Sequence, residues 1–263
     1  MLDHSFITTF SRWAKQLTIN VPSCTPTMSP IIRNGLRSNG LKAIIFDMDG
    51  TLIHSTIDFR RMNQGVAETL LRHGLPRDIL DSGGKVNESI VRAYSYFKVH
   101  SQQGWAEALE KDLNRVSLEV EMTRVEESRE VPGTADALRY LRSKGIRTAV
   151  LTRGSRAYTE KALRAAGLED MFEVVLCRDD HPLTEAKPNP LALRRVYDAL
   201  GLKGEECLFV GDHDTDLLCA QGAGSPFAAV LTGSFSLDMW NDLRPDVIMD
   251  SLAELPILLE GLE

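Results

Sequence analysis

A short unbroken apolar run, Ala43-Ile44-Ile45-Phe46 with Leu41 just upstream, most restricts what this chain can fold into. Consecutive apolar residues without alternation suit a strand buried on both faces, as parallel sheets require. The run delivers two carboxylates, Asp47 and Asp49, into a turn at Gly50-Thr51. Carboxylates at the mouth of a buried strand are costly unless a cation or hydrogen-bond donors satisfy them. Gly50 would let a ligand approach the backbone. The pattern points to a metal-assisted site, the plainer alternative being a strand-to-helix turn with aspartate caps.

Strand-like runs cover 42–46, 147–151, 173–176, 207–210 and 227–231, and helical patterns lie between them near 134–144, 156–166, 190–200 and 214–222. Gly145, Gly167 and Gly201 stand where helices should stop. Alternation of this kind predicts right-handed crossovers and an α/β, doubly wound parallel sheet. In such sheets ligands bind beyond the carboxyl ends of the strands.

The first crossover is too long for a single helix. Residues 58–128 read as helical throughout, with candidate helices at 58–73, 86–102 and 105–127. Gly74-Leu75-Pro76 and Ser82-Gly83-Gly84 break them, and Leu109, Leu113, Val116 and Val120 share one amphipathic face. Inserted just after the Asp47 turn, 58–128 is expected to form a small helical cap over the site, or else a dimerisation arm. The α/β core then comprises 41–57 and 129–263. Within the insertion, Gly83-Gly84-Lys85 reads as a substrate-facing loop or a simple helix-breaking turn.

Residues 1–40 differ from the rest. Ten are Ser or Thr, Asp3 is the only acid, and Arg12, Lys15, Arg33 and Arg37 are basic. The segment is expected to be a dispensable tail, with a targeting segment or a start at Met28 as alternatives. Elsewhere, 263 residues at 43% hydrophobic can build one large core and a smaller accessory one. A net charge of −7 argues against nucleic acid or an anionic membrane as partner. No stretch has the apolar length to span a bilayer. Cys24, Cys177, Cys207 and Cys219 lack CxxC spacing and read as reduced thiols of a cytoplasmic protein.

The strand ends carry the chemistry. Asp47-Met48-Asp49 follows the first strand, Thr152-Arg153-Gly154 the second, and Gly211-Asp212-His213-Asp214-Thr215-Asp216 the fourth, while Lys187-Pro188 precedes the helix near 190. Parallel strands place all four groups on one rim. Three carboxylates there call for a divalent cation, and a small set of oxygen ligands suits Mg²⁺. A hydroxyl and a lysine opposite would hold phosphoryl oxygens. Taken singly, Thr152 could cap the following helix, Lys187 could be solvated, and Asp214 reads as an N-cap. Taken in order, they are hard to explain as coincidence.

With these four segments on the page, the chain from 41 to 260 resembles the haloacid dehalogenase superfamily of phosphohydrolases. The signature is DxDGT at Asp47–Thr51, Thr152, Lys187-Pro188 and GDxxxD at Gly211–Asp216. The helical insertion resembles the small cap of its phosphoglycolate phosphatase and β-phosphoglucomutase branches. The resemblance implies Asp47 as nucleophile, Asp49 as acid and base, and Thr152 and Lys187 as phosphoryl-binding groups. It also implies Mg²⁺ held by Asp47, the Asp49 carbonyl and Asp212, with Asp216 assisting. Departures are His54-Ser55 after Leu52-Ile53, Arg153 in the second motif and His213 in the fourth. Arg153 adds a cation that could grip a substrate carboxylate or second phosphate. The expected function is a Mg²⁺-dependent phosphatase for a small phosphorylated metabolite. A phosphomutase or a non-catalytic phosphate sensor are the alternatives, and oligomeric state is open.

Overall fold

Ile44 and Phe46 point to one face of a sheet and Ala43 and Ile45 to the other, and all four are fully buried. A strand with no solvated face has to lie inside a layered structure. The computed structural model, which describes residues 29–33, 40–82, 86–100 and 104–262, puts it there. Seven strands form the main sheet: β1 (Ile31–Ile32), β2 (Ala43–Phe46), β5 (Arg147–Leu151), β6 (Val174–Leu176), β7 (Cys207–Gly211), β8 (Phe227–Val230) and β9 (Val247–Met249). Their order is β1-β9-β8-β7-β2-β5-β6, parallel except for β1. Strand β2 is central, with β5 on one side and β7 on the other. That is the point where the winding direction reverses and a crevice opens.

Helices cover both faces. Helices α5 (Thr134–Ser143), α6 (Arg156–Ala165) and α10 (Leu255–Gly261) pack with Ile44, Phe46 and Val150. Helices α7 (Pro190–Leu200), α8 (Asp214–Ala223) and α9 (Leu237–Leu243) pack with Ile45, Leu151 and Phe209. The expected doubly wound α/β architecture is present. Gly167 and Gly201 follow α6 and α7 with φ of +72° and +63°.

Strands β1, β3 (Ile53–His54), β4 (Arg129–Glu130) and β9 escaped the sequence reading because two or three residues are too few to show a period, and the short helices α9 and α10 escaped it as well. Strand β9 has three residues, and β3 pairs antiparallel with β4 as a two-stranded ribbon. Between those last two strands lie α1 (Phe59–Arg72), α2 (Arg77–Leu80), α3 (Val86–His100) and α4 (Trp105–Glu121). Helix α2 lies between the expected breaks at Gly74-Leu75-Pro76 and Ser82-Gly83-Gly84. Helix α4 stops at Glu121 rather than running to 127, and a separate 3-10 turn follows at Val125–Glu127. The Thr123 hydroxyl donates to the Glu119 carbonyl at 3.0 Å, a local bond that competes with helix continuation. The inserted helices share their own apolar cluster of Val66, Leu70, Leu75, Ala93, Phe97, Leu109 and Leu113. Gly83-Gly84-Lys85 and nearly all of 1–40, Cys24 included, lie outside the described residues. Among the described residues no helix is long and apolar enough to cross a membrane.

One buried ion pair ties the insertion to the sheet. Glu121, the last residue of α4, meets Arg178 just beyond β6, their side chains 1% and 9% exposed. The pairing is two-pronged: Arg178 Nη1 bonds Glu121 Oε1, and Nη2 lies 3.2 Å from Oε2. Arg178 also donates to Asn114 Oδ1 at 3.0 Å and to the Arg153 carbonyl at 2.9 Å, while the Ser155 hydroxyl donates to Glu121 Oε2 at 2.7 Å. Breaking a buried pair strands the surviving charge without water. Arg178→Ala is therefore expected to lower unfolding free energy in urea by about 3–5 kcal/mol. The double substitution Glu121→Met, Arg178→Met recovers most of that loss. A cost below about 1 kcal/mol for Arg178→Ala would mean that the pair behaves as an exposed one.

Candidate active site

Register decides which strand ends meet. Phe46 pairs with Val150 of β5 and Val210 of β7, and the Asp47 N–H donates to the Val210 carbonyl at 2.8 Å. Asp47 thus leaves the sheet beside Thr152 on one side and Asp212 on the other. Oxygens of Asp47, Asp212 and Asp216 all lie within 4.8 Å of one another, and all three residues are buried.

Lys187 enters from the loop before α7. Its ammonium pairs with Asp47 and, at 2.8 Å, with Asp216 Oδ1; its side chain is 2% exposed. The ring of Phe209 lies beneath it, 5.6 Å from centroid to Nζ. Burial favours loss of the ammonium's proton, but the charges of Asp216 and Asp47 overcome that and raise the Lys187 pKa above its ordinary value. Lys187 is therefore a fixed cation.

Asp212 shows how unevenly charge is balanced in the pocket. Its Oδ2 accepts from the Ser234 N–H at 2.7 Å, yet burial, with Asp47 and Asp216 adding repulsion, pushes its carboxyl up to about 8. Three carboxylates against one lysine ammonium leave excess negative charge out of water. The all-oxygen donor set and this charge excess fit a divalent cation. The backbone gives way to make room. Gly50 has φ +85°, and a Cβ there would lie 2.7 Å from Asp212 Oδ2; one on Gly233 would lie 2.0 Å away. The Thr232 hydroxyl donates to the Gly50 carbonyl at 2.6 Å and ties the loop after β8 to the Asp47 turn.

The remaining expected residues stand around this cluster. Thr152 is 3% exposed, and its Oγ1 accepts from the Gly154 N–H at 2.9 Å. It does not cap α6; Ser155 does, accepting from the Tyr158 N–H at 3.3 Å. The guanidinium of Arg153 is pulled down to about 10 by burial and by Arg178, with Asp216 and Asp47 opposing, so it stays charged. Asp214 is not the N-cap of α8. His213 is, its Nδ1 accepting from the Thr215 N–H at 3.3 Å, while Asp216 Oδ2 accepts from the His213 N–H at 3.2 Å. Asp49 lies outside the carboxylate triad. Its Oδ1 accepts from the Tyr158 hydroxyl at 2.6 Å. Burial raises its carboxyl to about 6, against the bonds from Tyr158 and Ser55 and together with the Asp47 charge.

Sequence reasoning missed Tyr158, Ser234 and the Thr232-Gly233 loop. The loop could have been found, since it follows another parallel strand on the same rim. Tyr158 carried no signal, because an aromatic in a helix reads as core.

The chain is similar to known proteins. A family model described as haloacid dehalogenase-like hydrolase matches residues 41–224. A phosphoglycolate phosphatase of Neisseria meningitidis is 29% identical over 220 residues, covering 82% of this chain and 92% of that protein. A pyrophosphatase of Bacillus cereus is 29% identical over 236 residues, with 83% and 96% covered. The crystal structure of a haloacid dehalogenase-like hydrolase from Bacteroides fragilis superposes with a TM-score of 0.60 at 25% identity, covering 82% of this chain and 99% of that one.

The charge excess predicts a metal-linked gain in stability. A carboxyl raised to about 8 in the fold resists ionisation there, so it favours the folded state at low pH and opposes it as pH rises toward 8. A divalent cation at a hundredfold excess over its Kd is expected to raise the melting temperature of chelator-treated protein by about 5–10 °C. The gain grows from pH 6 to pH 8, where protons stop competing, and shrinks in Asp212→Asn. Differential scanning fluorimetry checks it; equal gains in the variant would remove Asp212 from the ligand set.

Proposed function

This chain belongs to the haloacid dehalogenase-like hydrolases, and on that premise we propose that it is a Mg²⁺-dependent phosphatase. Its substrate is a small phosphomonoester, cleaved through an aspartyl-phosphate on Asp47. The observation that carries the reading is the buried Lys187 shared by Asp47 and Asp216, with Asp212 alongside. A fixed cation beside a carboxylate triad suited to a second cation fits a phosphoryl dianion, because phosphoryl transfer depends chiefly on positioning and charge neutralisation. That a phosphoglycolate phosphatase and a pyrophosphatase are among its relatives supports a phosphatase reading.

Each residue has a part. A carboxylate oxygen of Asp47 attacks phosphorus as the bond from phosphorus to the leaving oxygen breaks. Lys187 offsets repulsion between Asp47 and the incoming phosphoryl oxygens. The Thr152 oxygen is already occupied by the Gly154 N–H, so its hydroxyl hydrogen is free to donate to the phosphoryl group. Asp49 gives its proton to the leaving oxygen. It then takes one from the water that attacks phosphorus and breaks the bond to Asp47, which restores both carboxyls. A carboxyl near 6 can serve in both directions around neutral pH. Asp47, Asp212 and the Asp49 backbone carbonyl, with Asp216 assisting, would hold Mg²⁺, which would supply further charge neutralisation.

Arg153 is the cation we assign to a substrate carboxylate or second phosphate. The helices at 58–128 act as the cap that selects the leaving group, with 41–57 and 129–263 as the catalytic core. The substrate is a small phosphorylated metabolite.

Phosphate release from a panel of phosphorylated metabolites, with p-nitrophenyl phosphate as reference, tests the function. Isomerisation that depends on a sugar bisphosphate and releases no phosphate would instead make the protein a phosphomutase. Asp47→Asn is expected to reduce kcat by about 10³-fold or more while the melting temperature holds. Asp49→Asn is expected to cut kcat on alkyl phosphates by about 10²–10⁴-fold and on p-nitrophenyl phosphate far less, since nitrophenolate leaves without a proton. Equal losses on the two esters would strip Asp49 of its acid role.

A further inference from the structure

We propose that Tyr158 is a positioning residue for Asp49, its phenol fixing one carboxyl oxygen so that the transferable proton sits on the other. This deepens the proposed function and rests on its reading of Asp49 as acid and base.

The contact joins residues 109 positions apart. The Tyr158 hydroxyl donates to Asp49 Oδ1 at 2.6 Å, short enough to mark a bond to a charged acceptor. Tyr158 is the third residue of α6 and is fully buried. Its ring packs so closely on Gly154 that a Cβ there would lie 2.8 Å from its Cδ1. Its backbone N–H bonds the Ser155 hydroxyl, which in turn bonds Glu121. The phenol is therefore held by the turn that follows Thr152, on the same rim as the phosphoryl pocket.

The phenol is a dependable donor. A phenol, which ordinarily titrates at about 10, keeps its hydrogen at neutral pH. Ser55 engages both the Asp49 carboxyl and the Tyr158 hydroxyl. With a hydrogen already pointing at Oδ1, a proton gained by Asp49 goes to Oδ2. Both half-reactions need that proton at one place, first toward the leaving oxygen and then toward the water that replaces it. An acid free to turn would spend much of its time misdirected. Packing does not explain the hydroxyl, because phenylalanine would fill the same volume without burying a polar group.

Tyr158→Phe separates these roles, as the ring stays and only the bond goes. kcat on β-glycerol phosphate is expected to fall about ten- to a hundredfold. KM stays within about twofold, and kcat on p-nitrophenyl phosphate changes by less than about threefold because that leaving group barely uses the acid. In an Asp49→Asn background, the same substitution adds less than about a twofold loss, since the group it positions is gone. Equal losses on both esters, an unchanged rate on the alkyl ester, or a full additive loss in the Asp49→Asn background would each overturn the proposal. Inactivity of the unaltered protein on both esters would instead overturn the phosphatase reading, and this inference with it.

Discussion

A lysine ammonium held out of water among three carboxylates is the constraint around which this structure is arranged. Lys187 is 2% exposed and meets two of them, Asp47 and Asp216. Neither sign of charge is tolerable there alone. Each acidic side chain therefore comes from a different rigid support: the end of β2, the end of β7 and the first turn of α8. The lysine comes from a loop anchored by α7. Small residues at Gly50 and Gly233 allow the backbone to close on Asp212 where any side chain would collide.

The same rim joins the sheet to the inserted helices. Glu121 terminates α4 and is bound by Arg178 and Ser155, while Arg178 also holds the Arg153 carbonyl. The insertion and the turn carrying Thr152 and Arg153 are thus parts of one buried polar network. Such networks hold geometry when every member is satisfied, and they couple whatever they connect. Tyr158 extends it to Asp49. The carboxyl proposed as acid and base and the groups that hold helices in place are here a few bonds apart.

Much of this was legible in residue order because it is written in local chemistry. The run at 207–210 is buried on both faces and shows it as unbroken apolarity, while in 147–151 the apolar stretch is Ala149 to Leu151; β5 matches its run, and β7 runs one residue further. The glycines at 167 and 201 end helices because only glycine sits easily at positive φ. Elements of two or three residues, such as β3, β4 and β9, have no period to read. Propensity favours Asp214 as the cap of α8, but the histidine before it has the extended backbone that an N-cap needs.

Residue order by itself determined an α/β chain with parallel strands whose carboxyl ends carry Asp47, Asp49, Thr152 and Asp212, because hydrophobic period and turn chemistry are properties of neighbours. Which groups touch was decided only by the tertiary structure. Lys187 meets Asp47 across 140 positions, Tyr158 meets Asp49 across 109, and Arg178 meets Glu121 across 57. Those meetings depend on strand register and helix placement, which are set by packing of the whole core rather than by any local stretch. An aromatic, an arginine and a glutamate far apart in sequence become a device only when the sheet brings their supports together.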